Sequence, residues 1–322
     1  MNYTTLARSI IRGDRKAAAR LISVVEDEEE GYGEAMDMIF SASGRAGVLG
    51  ITGAPGVGKS TLVFELAKGF RKEGKSVGIV AVDPTSPLTG GAILGDRIRM
   101  SELSSDPGVF IRSMGSRGGT GGLSLQASAT VRILDALGCE EIIVETVGAG
   151  QTQVDIMGLA DTVVVVTMPG SGDEVQSIKA GLLEIADIYV VNKMDLPGSM
   201  STAADLRAMI DLVEDWKGWK PPVLLASASG ARGLEEVAGS IRRHREWFSD
   251  PEAHMERRAS QARKEIYDII ASGILRAISS AVTDEEMGEL VRLVAERKMS
   301  PYDAARKVAG SALPGADLYK AL

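Results

Sequence analysis

Residues 50–61 read GITGAPGVGKST, at the end of the apolar run VLGIT (48–52). Within it, Gly53, Ala54, Pro55, Gly56, Val57, Gly58, Lys59 and Ser60 fit the spacing G-x-x-x-x-G-K-[ST]. Glycines with no side chain let successive backbone N–H groups turn inward and form a concave nest for anions. A helix starting behind that nest adds its positive N-terminal end. Lys59 then reaches toward the outer oxygens of a polyphosphate, Ser60 offers a hydroxyl to Mg²⁺, and Thr61 follows within the nest. A chain carrying this stretch needs a strand before it and a helix after it, and so an α/β fold.

The surrounding sequence supplies both. Seven short apolar runs recur: 48–52, 76–82, 109–112, 141–146, 162–168, 188–192 and 222–227. They are apolar throughout rather than alternating, so both faces of each strand should be covered. With amphipathic or alanine-rich stretches between them, they predict a doubly wound, mostly parallel sheet over residues 46–248. Functional residues should stand on loops at the carboxyl ends of the strands. Residues 1–45 read as an N-terminal helical extension, with one helix over 4–30 and a shorter one over 32–42. The acidic run EDEEE at the end of the first reads as a solvated helix end. Residues 249–322 read as a C-terminal helical region. It holds a long helix with Ile266, Ile269, Ile270, Ile274 and Ile278 on one stripe, then a helix opened by a Thr283–Glu286 capping box.

Base recognition is expected in VVNKMD. Asn192, Lys193 and Asp195 end the sixth run, where a carboxylate can accept the ring N–H and the exocyclic amino group of guanine. Adenine has no matching donor pair and would leave that carboxylate unpaired, so the spacing selects GTP and GDP over adenine nucleotides. Lys193 can lie along the base, and Ser227 and Ala228 after the seventh run can reach the guanine carbonyl through backbone N–H groups. Mg²⁺ takes oxygen ligands, and Ser60, Asp83, Asp96 and Glu145 are its candidate holders. Gly148 is placed to offer its N–H to the γ-phosphate. The catalytic candidates are Lys59, Asp83, Glu145 and Gln151. Ala149 stands where many small GTPases carry a water-orienting glutamine, so intrinsic hydrolysis should be slow, with Gln151 the nearest replacement.

In order and spacing, GITGAPGVGKST, VDPTSP, TGGAILGDRIRM, FIRSMGSRGGTGGLS, VETVGAGQTQVDI, PGSGDEVQSIKAG and VVNKMD resemble the MeaB/ArgK family of P-loop GTPases. That resemblance covers nearly all of the chain. It implies a GTPase of the SIMIBI class that chaperones an adenosylcobalamin-dependent acyl-CoA mutase of the methylmalonyl-CoA mutase type, assisting cofactor loading and protecting the enzyme. It implies a homodimer formed with the C-terminal helices, assigns Asp83, Asp96 and Glu145 to the Mg²⁺ site, and places residues 148–153 in a second switch. Asp173 and Lys179 fall in a third switch. Gln153 departs from the pattern, which has an acid there.

The remaining features exclude other classes. A net charge of −8 speaks against a general nucleic-acid binder and against docking on anionic membranes. No apolar run approaches the roughly 20 residues that span a bilayer, and the opening residues lack the apolar stretch of a secretion signal, so a cytoplasmic location is expected. Cys139 is the single cysteine, read as a small buried hydrophobe at a helix–strand junction. A nickel-insertion metallochaperone would need a Cys/His cluster, and the chain offers only Cys139, His244 and His254. A P-loop kinase would need an acceptor pocket and usually takes ATP, against the guanine signal of NKMD. A nucleotide-dependent binding module without catalysis is separated from an enzyme by measuring turnover.

Overall fold

The computed structural model of the chain describes residues 2–84, 101–116, 124–146, 156–170, 185–216, 218–250 and 255–312. It divides into two compact units, Met1–Ala262 and Arg263–Leu322. The first contains α1 (Tyr3–Ile11), α2 (Arg15–Glu26), α3 (Gly33–Ala42), β1 (Gly47–Thr52), α4 (Lys59–Lys72), β2 (Val77–Pro84), α5 (Ser101–Ser104), β3 (Val109–Ser116), α6 (Ser124–Leu137) and β4 (Glu141–Thr146). After a 3₁₀ turn at Ile156–Gly158 come β5 (Thr162–Thr167), β6 (Ile188–Val191), α7 (Ser199–Asp211), β7 (Val223–Leu225), α8 (Leu234–Phe248) and the start of α9 (Met255–Ala281).

The seven described strands form one sheet in the order β3-β2-β4-β1-β5-β6-β7, every neighbouring pair parallel. β1 lies at the centre, where the winding reverses and a ligand crevice is expected. Alternation along each strand feeds two apolar layers. Val48, Val144, Val163 and Tyr189 enter the layer shared with α1, α2, α3, α6 and α7. Leu49, Ile51, Ile143, Val164 and Val190 enter the layer shared with α4 and α8. Coverage on both faces is why the runs lack polar alternation.

The N-terminal segment differs from the sequence expectation in two ways. The helix read over 4–30 is two helices. Gly13 adopts φ +90°, and the Asp14 side chain caps α2 by accepting from the N–H groups of Lys16 and Ala17. The acidic run is also not simply solvated. Glu26 accepts from Arg112 on β3, with Arg112 Nε at 3.0 Å. Glu28 accepts from Gln126 on α6 at 2.9 Å, and Glu29 from the Tyr3 hydroxyl at 2.7 Å. The run therefore fastens the N-terminal helices to the β3 edge. Cys139 lies buried in the turn between α6 and β4, where burial pushes its thiol up to about 12.

At the amino ends of β5 and β6, Asp187 joins four elements. Its Oδ2 accepts from the Val163 N–H at 2.8 Å, and Arg257 in the first turn of α9 grips both carboxylate oxygens at 3.0 and 3.1 Å. His244 on α8 has no solvent exposure. Its Nδ1 meets the Thr162 hydroxyl at 2.9 Å, its Nε2 stands 3.2 Å from Asp187, and Trp219, Trp247 and Phe248 enclose its ring.

The second unit contains the rest of α9, then α10 (Asp284–Ala295) and α11 (Pro301–Ala312). Thr283 and Glu286 form the expected capping box at the start of α10. Ile266, Ile269, Ile270 and Ile274 on α9, and Met287 and Val291 on α10, are exposed.

Burial pushes the Asp187 carboxyl up, but the His244 and Arg257 contacts outweigh it and hold the group below the usual carboxylate range. A depressed carboxylate stabilises the fold fully above its unfolded value of about 4 and loses that contribution as pH falls through the lowered folded value. Arg257→Met should therefore cost about 2 kcal/mol at pH 7 by leaving a buried carboxylate short of its partner. Thermal melts should show a drop of about 5 °C at pH 7, shrinking as the pH is taken below about 4.

Candidate nucleotide site

The site sits at the carboxyl ends of β1, β4, β6 and β7. Residues 53–58 leave β1 and enter α4, forming the cradle predicted from the sequence. Gly53 has φ +142°, and a Cβ there would lie 2.0 Å from the Val166 carbonyl oxygen on β5. Only glycine fits that exit. Gly58 has φ +96°, and its Cβ would lie 2.4 Å from Asn192 Nδ2. Lys59, the first residue of α4, is 5% exposed. Its ammonium donates to the carbonyls of Gly53 and Ala54, each at 2.9 Å, and so stays folded over the cradle. Ser60 donates to Glu145 Oε1 at 2.6 Å across the gap to β4.

A second loop, residues 192–195, locks onto this cradle. Asn192, 2% exposed, donates through Nδ2 to the Val57 carbonyl at 2.7 Å. Its Oδ1 accepts from the Ala228 N–H at 3.0 Å. One buried amide thus ties the cradle, the end of β6 and the loop after β7. Lys193 adopts φ +56°, in the left-handed region that costs a non-glycine residue free energy and is concentrated at functional sites. Its ammonium reaches back to the Gly56 carbonyl at 2.8 Å and the Met168 sulfur at 3.1 Å. Asp195 is exposed. Its Oδ1 accepts from the Ser227 hydroxyl at 2.7 Å, the leading reason its carboxyl is held below the usual range.

The loop after β7 is fixed in turn. The backbones of Ser227 and Arg232 bond to each other in both directions, at 2.9 and 3.1 Å. Between the cradle and the two loops opens a pocket of about 410 Å³. Pro55, Gly56, Gly58, Lys59, Ser60 and Thr61 line one side, and Glu145, Asn192, Lys193, Ala228 and Ser229 the other.

Ten of the residues singled out in the sequence line this pocket, while Asp195 and Ser227 are not among its lining residues. Asp83 lies at the end of β2, its backbone paired with Gly115, but its side chain is outside what is described. Asp96, Gly148, Gln151, Gln153, Asp173 and Lys179 also lie outside the described residues. Ser229 and Met168 carried no sequence signal. Ser229 adjoins the expected Ser227–Ala228 pair, and Met168 meets Lys193 only through the fold. His244, weighed as a metal ligand, is enclosed by aromatic rings at the opposite end of the strands.

A parallel sheet with a glycine cradle, a lysine-led helix and an Asn-Lys-x-Asp loop closing one pocket defines a P-loop nucleotide-binding protein. Comparison with known proteins makes that class specific. The family described as "Methylmalonyl Co-A mutase-associated GTPase MeaB" matches residues 18–283. A protein of Pyrococcus abyssi (strain GE5 / Orsay) is 48% identical over 91% of this chain and 92% of its own length. "GTPase ArgK" of Escherichia coli (strain K12) is 37% identical over 75% of this chain and 76% of its own. A crystal structure titled "LAO/AO transport system kinase" superposes with a TM-score of 0.69 at 23% identity, over 95% of this chain and 96% of the other, and so shares the fold. The chain belongs to the MeaB family and is a GTPase.

Asn192→Ala removes three hydrogen-bonding groups and leaves the Val57 carbonyl and the Ala228 N–H short of a partner. The expected cost is about 2 kcal/mol of stability, with at least about tenfold weaker GDP binding because the cradle and base loop lose their joint. Chemical denaturation and calorimetric GDP titration measure the two effects separately.

Proposed function

We propose that this GTPase is a nucleotide-switched chaperone of an adenosylcobalamin-dependent acyl-CoA mutase of the methylmalonyl-CoA mutase type, assisting cofactor loading and protecting the mutase. The observation that carries this reading is membership of a family described by its association with methylmalonyl Co-A mutase, joined to a formed nucleotide pocket.

On this reading GTP and GDP occupy the pocket. The amides of residues 53–61 hold the phosphates, and Lys59 exchanges the Gly53 and Ala54 carbonyls for phosphate oxygens. Asp195, already oriented by Ser227, reads the two donors of guanine, while the N–H groups near Ala228 meet its carbonyl. Lys193 is clamped by Gly56 and Met168 and presents its stem to the base. Ser60 and Glu145 bring a hydroxyl and a carboxylate within 2.6 Å of each other. These are hard oxygen donors of the kind Mg²⁺ takes with phosphates and water, and Asp83 and Asp96 complete the proposed set. When bound, Mg²⁺ neutralises charge developing on the phosphates. Gly148 serves the γ-phosphate and Gln151 the attacking water, and without a small-GTPase glutamine at position 149 turnover is slow until a partner reshapes the loops.

The reading includes a cytoplasmic homodimer. The exposed isoleucines of α9 favour it, because pairing of the region 249–322 would remove that apolar stripe from water. No single helix among the described residues is long and apolar enough to cross a membrane.

Asp195→Asn should weaken GTP about tenfold or more and shrink the preference for GTP over ATP, since the neutral amide can no longer accept both guanine donors. Competition binding with both nucleotides reads this. Addition of purified methylmalonyl-CoA mutase should raise the rate of phosphate release from GTP, and a rate unmoved by this and related acyl-CoA mutases would contradict the chaperone reading.

A further inference from the structure

The ladder between β1 and β4 runs from Gly47↔Glu141 to Ile51↔Glu145. One residue further, each strand keeps only its outer neighbour. Thr52 pairs with Val165 of β5, and Thr146 with Val82 of β2. The two central strands therefore stop bonding backbone to backbone at the point where both run out to the nucleotide pocket. A side-chain bond takes over there: the Thr146 hydroxyl donates to Thr52 Oγ1 at 2.9 Å. Both threonines are wholly buried.

The neighbours of this pair matter. Thr52 is followed by Gly53, the first residue of the cradle. Thr146 is preceded by Glu145, which receives the Ser60 hydroxyl. A closed ring results, running from Thr52 through the cradle to Ser60, across to Glu145, on to Thr146 and back to Thr52. Two side-chain bonds tie it, Ser60–Glu145 and Thr146–Thr52. Under the Mg²⁺ reading above, on which this inference rests, Ser60 and Glu145 turn to the metal and their mutual bond is given up. Beyond the Ile51↔Glu145 backbone pairing, the threonine pair is then the side-chain tie that remains.

We propose that Thr52 and Thr146 are positioning residues for GTP hydrolysis, their hydroxyl bond fixing the gap between the phosphate cradle and Glu145. The distance carries the argument. Two hydroxyl oxygens sharing a proton sit at 2.9 Å, whereas two methyl groups in van der Waals contact need about 3.5–4.0 Å. Valine has the shape of threonine without the hydroxyl, so valines at both positions push the strand ends apart by up to about 1 Å, and a single valine by less. Displacements of that size cost catalysis about a hundredfold in well-tuned sites. Binding of the diphosphate relies on the cradle amides and the base loop, to which neither threonine hydroxyl bonds.

The test uses the full chain and the variants Thr52→Val, Thr146→Val, the double valine and Thr146→Ser. Three quantities are read: GTP turnover against Mg²⁺ concentration, GDP affinity in EDTA, and melting temperature. Each single valine leaves one buried hydroxyl without its partner and should melt below wild type. The double valine removes both polar groups and should melt above either single valine, short of wild type by the crowding of the two methyls. All three valine variants should turn over GTP at least about tenfold more slowly, with the half-saturating Mg²⁺ concentration raised severalfold and GDP affinity in EDTA within about twofold of wild type. Thr146→Ser keeps the hydroxyl and should recover most of the rate. If a single valine fails to fold, the double variant carries the test. Single variants that hydrolyse GTP within about twofold of wild type, or a double variant whose rate recovers along with its melting temperature, would overturn the assignment. A wild-type protein whose turnover ignores Mg²⁺ would instead sink the metal reading, and is seen before any variant is made.

Discussion

The close approach of Gly53 to the Val166 carbonyl is the constraint from which the site follows. A side chain at position 53 would place its first carbon 2.0 Å from that oxygen, so the chain can turn out of β1 beside β5 only as bare backbone. Because it turns there, the next residues line one pocket and α4 begins directly behind them, where the positive end of a helix favours an anion. A second close approach fixes the other half. Gly58 leaves room for the Asn192 amide, which bonds to the Val57 carbonyl and the Ala228 N–H. The cradle, the 192–195 loop and the loop after β7 are thereby held at a set separation by a buried amide.

The sheet supplies the rigidity that this arrangement needs. β1 is central, flanked by β4 and β5, and each face is covered by a continuous apolar layer. β5 and β6 are anchored at their amino ends by the Asp187–Arg257 pair, while the loop after the carboxyl end of β6 presents Asn192 and Lys193 to the pocket. Buried ionic groups at one end and pocket-lining loops at the other divide the labour along the same strands. Lys193 shows the cost of the pocket end: it holds a left-handed backbone conformation that the contacts of its ammonium with Gly56 and Met168 help to maintain.

Much of this was legible in the sequence, for identifiable reasons. Parallel strands buried on both faces leave unbroken apolar runs, and all seven runs became strands. The cradle and the Asn-Lys-x-Asp loop are contiguous, so their spacing survives in one dimension. What escaped was set by contacts between distant residues. Glu26 looked like part of a solvated acidic tail because Arg112, its partner, is far along the chain. The break between α1 and α2 hung on Gly13 and the cap at Asp14, inside a pattern apolar enough to read as one helix. His244 looked like a histidine on a charged helix, yet the fold surrounds it with aromatic rings. Nothing local marks Met168 as a partner of Lys193, nor Thr52 as a partner of Thr146.

The central claim is that bare backbone after β1 cradles a polyphosphate while Asp195, reached from another strand, checks that the purine is guanine. Calorimetric titration of the wild-type protein with GDP and with ADP under identical conditions tests it most directly. The account predicts that GDP binds at least about a hundredfold more tightly, because adenine leaves the Asp195 carboxylate without its two donors. Equal affinities, or a preference for ADP, would contradict it.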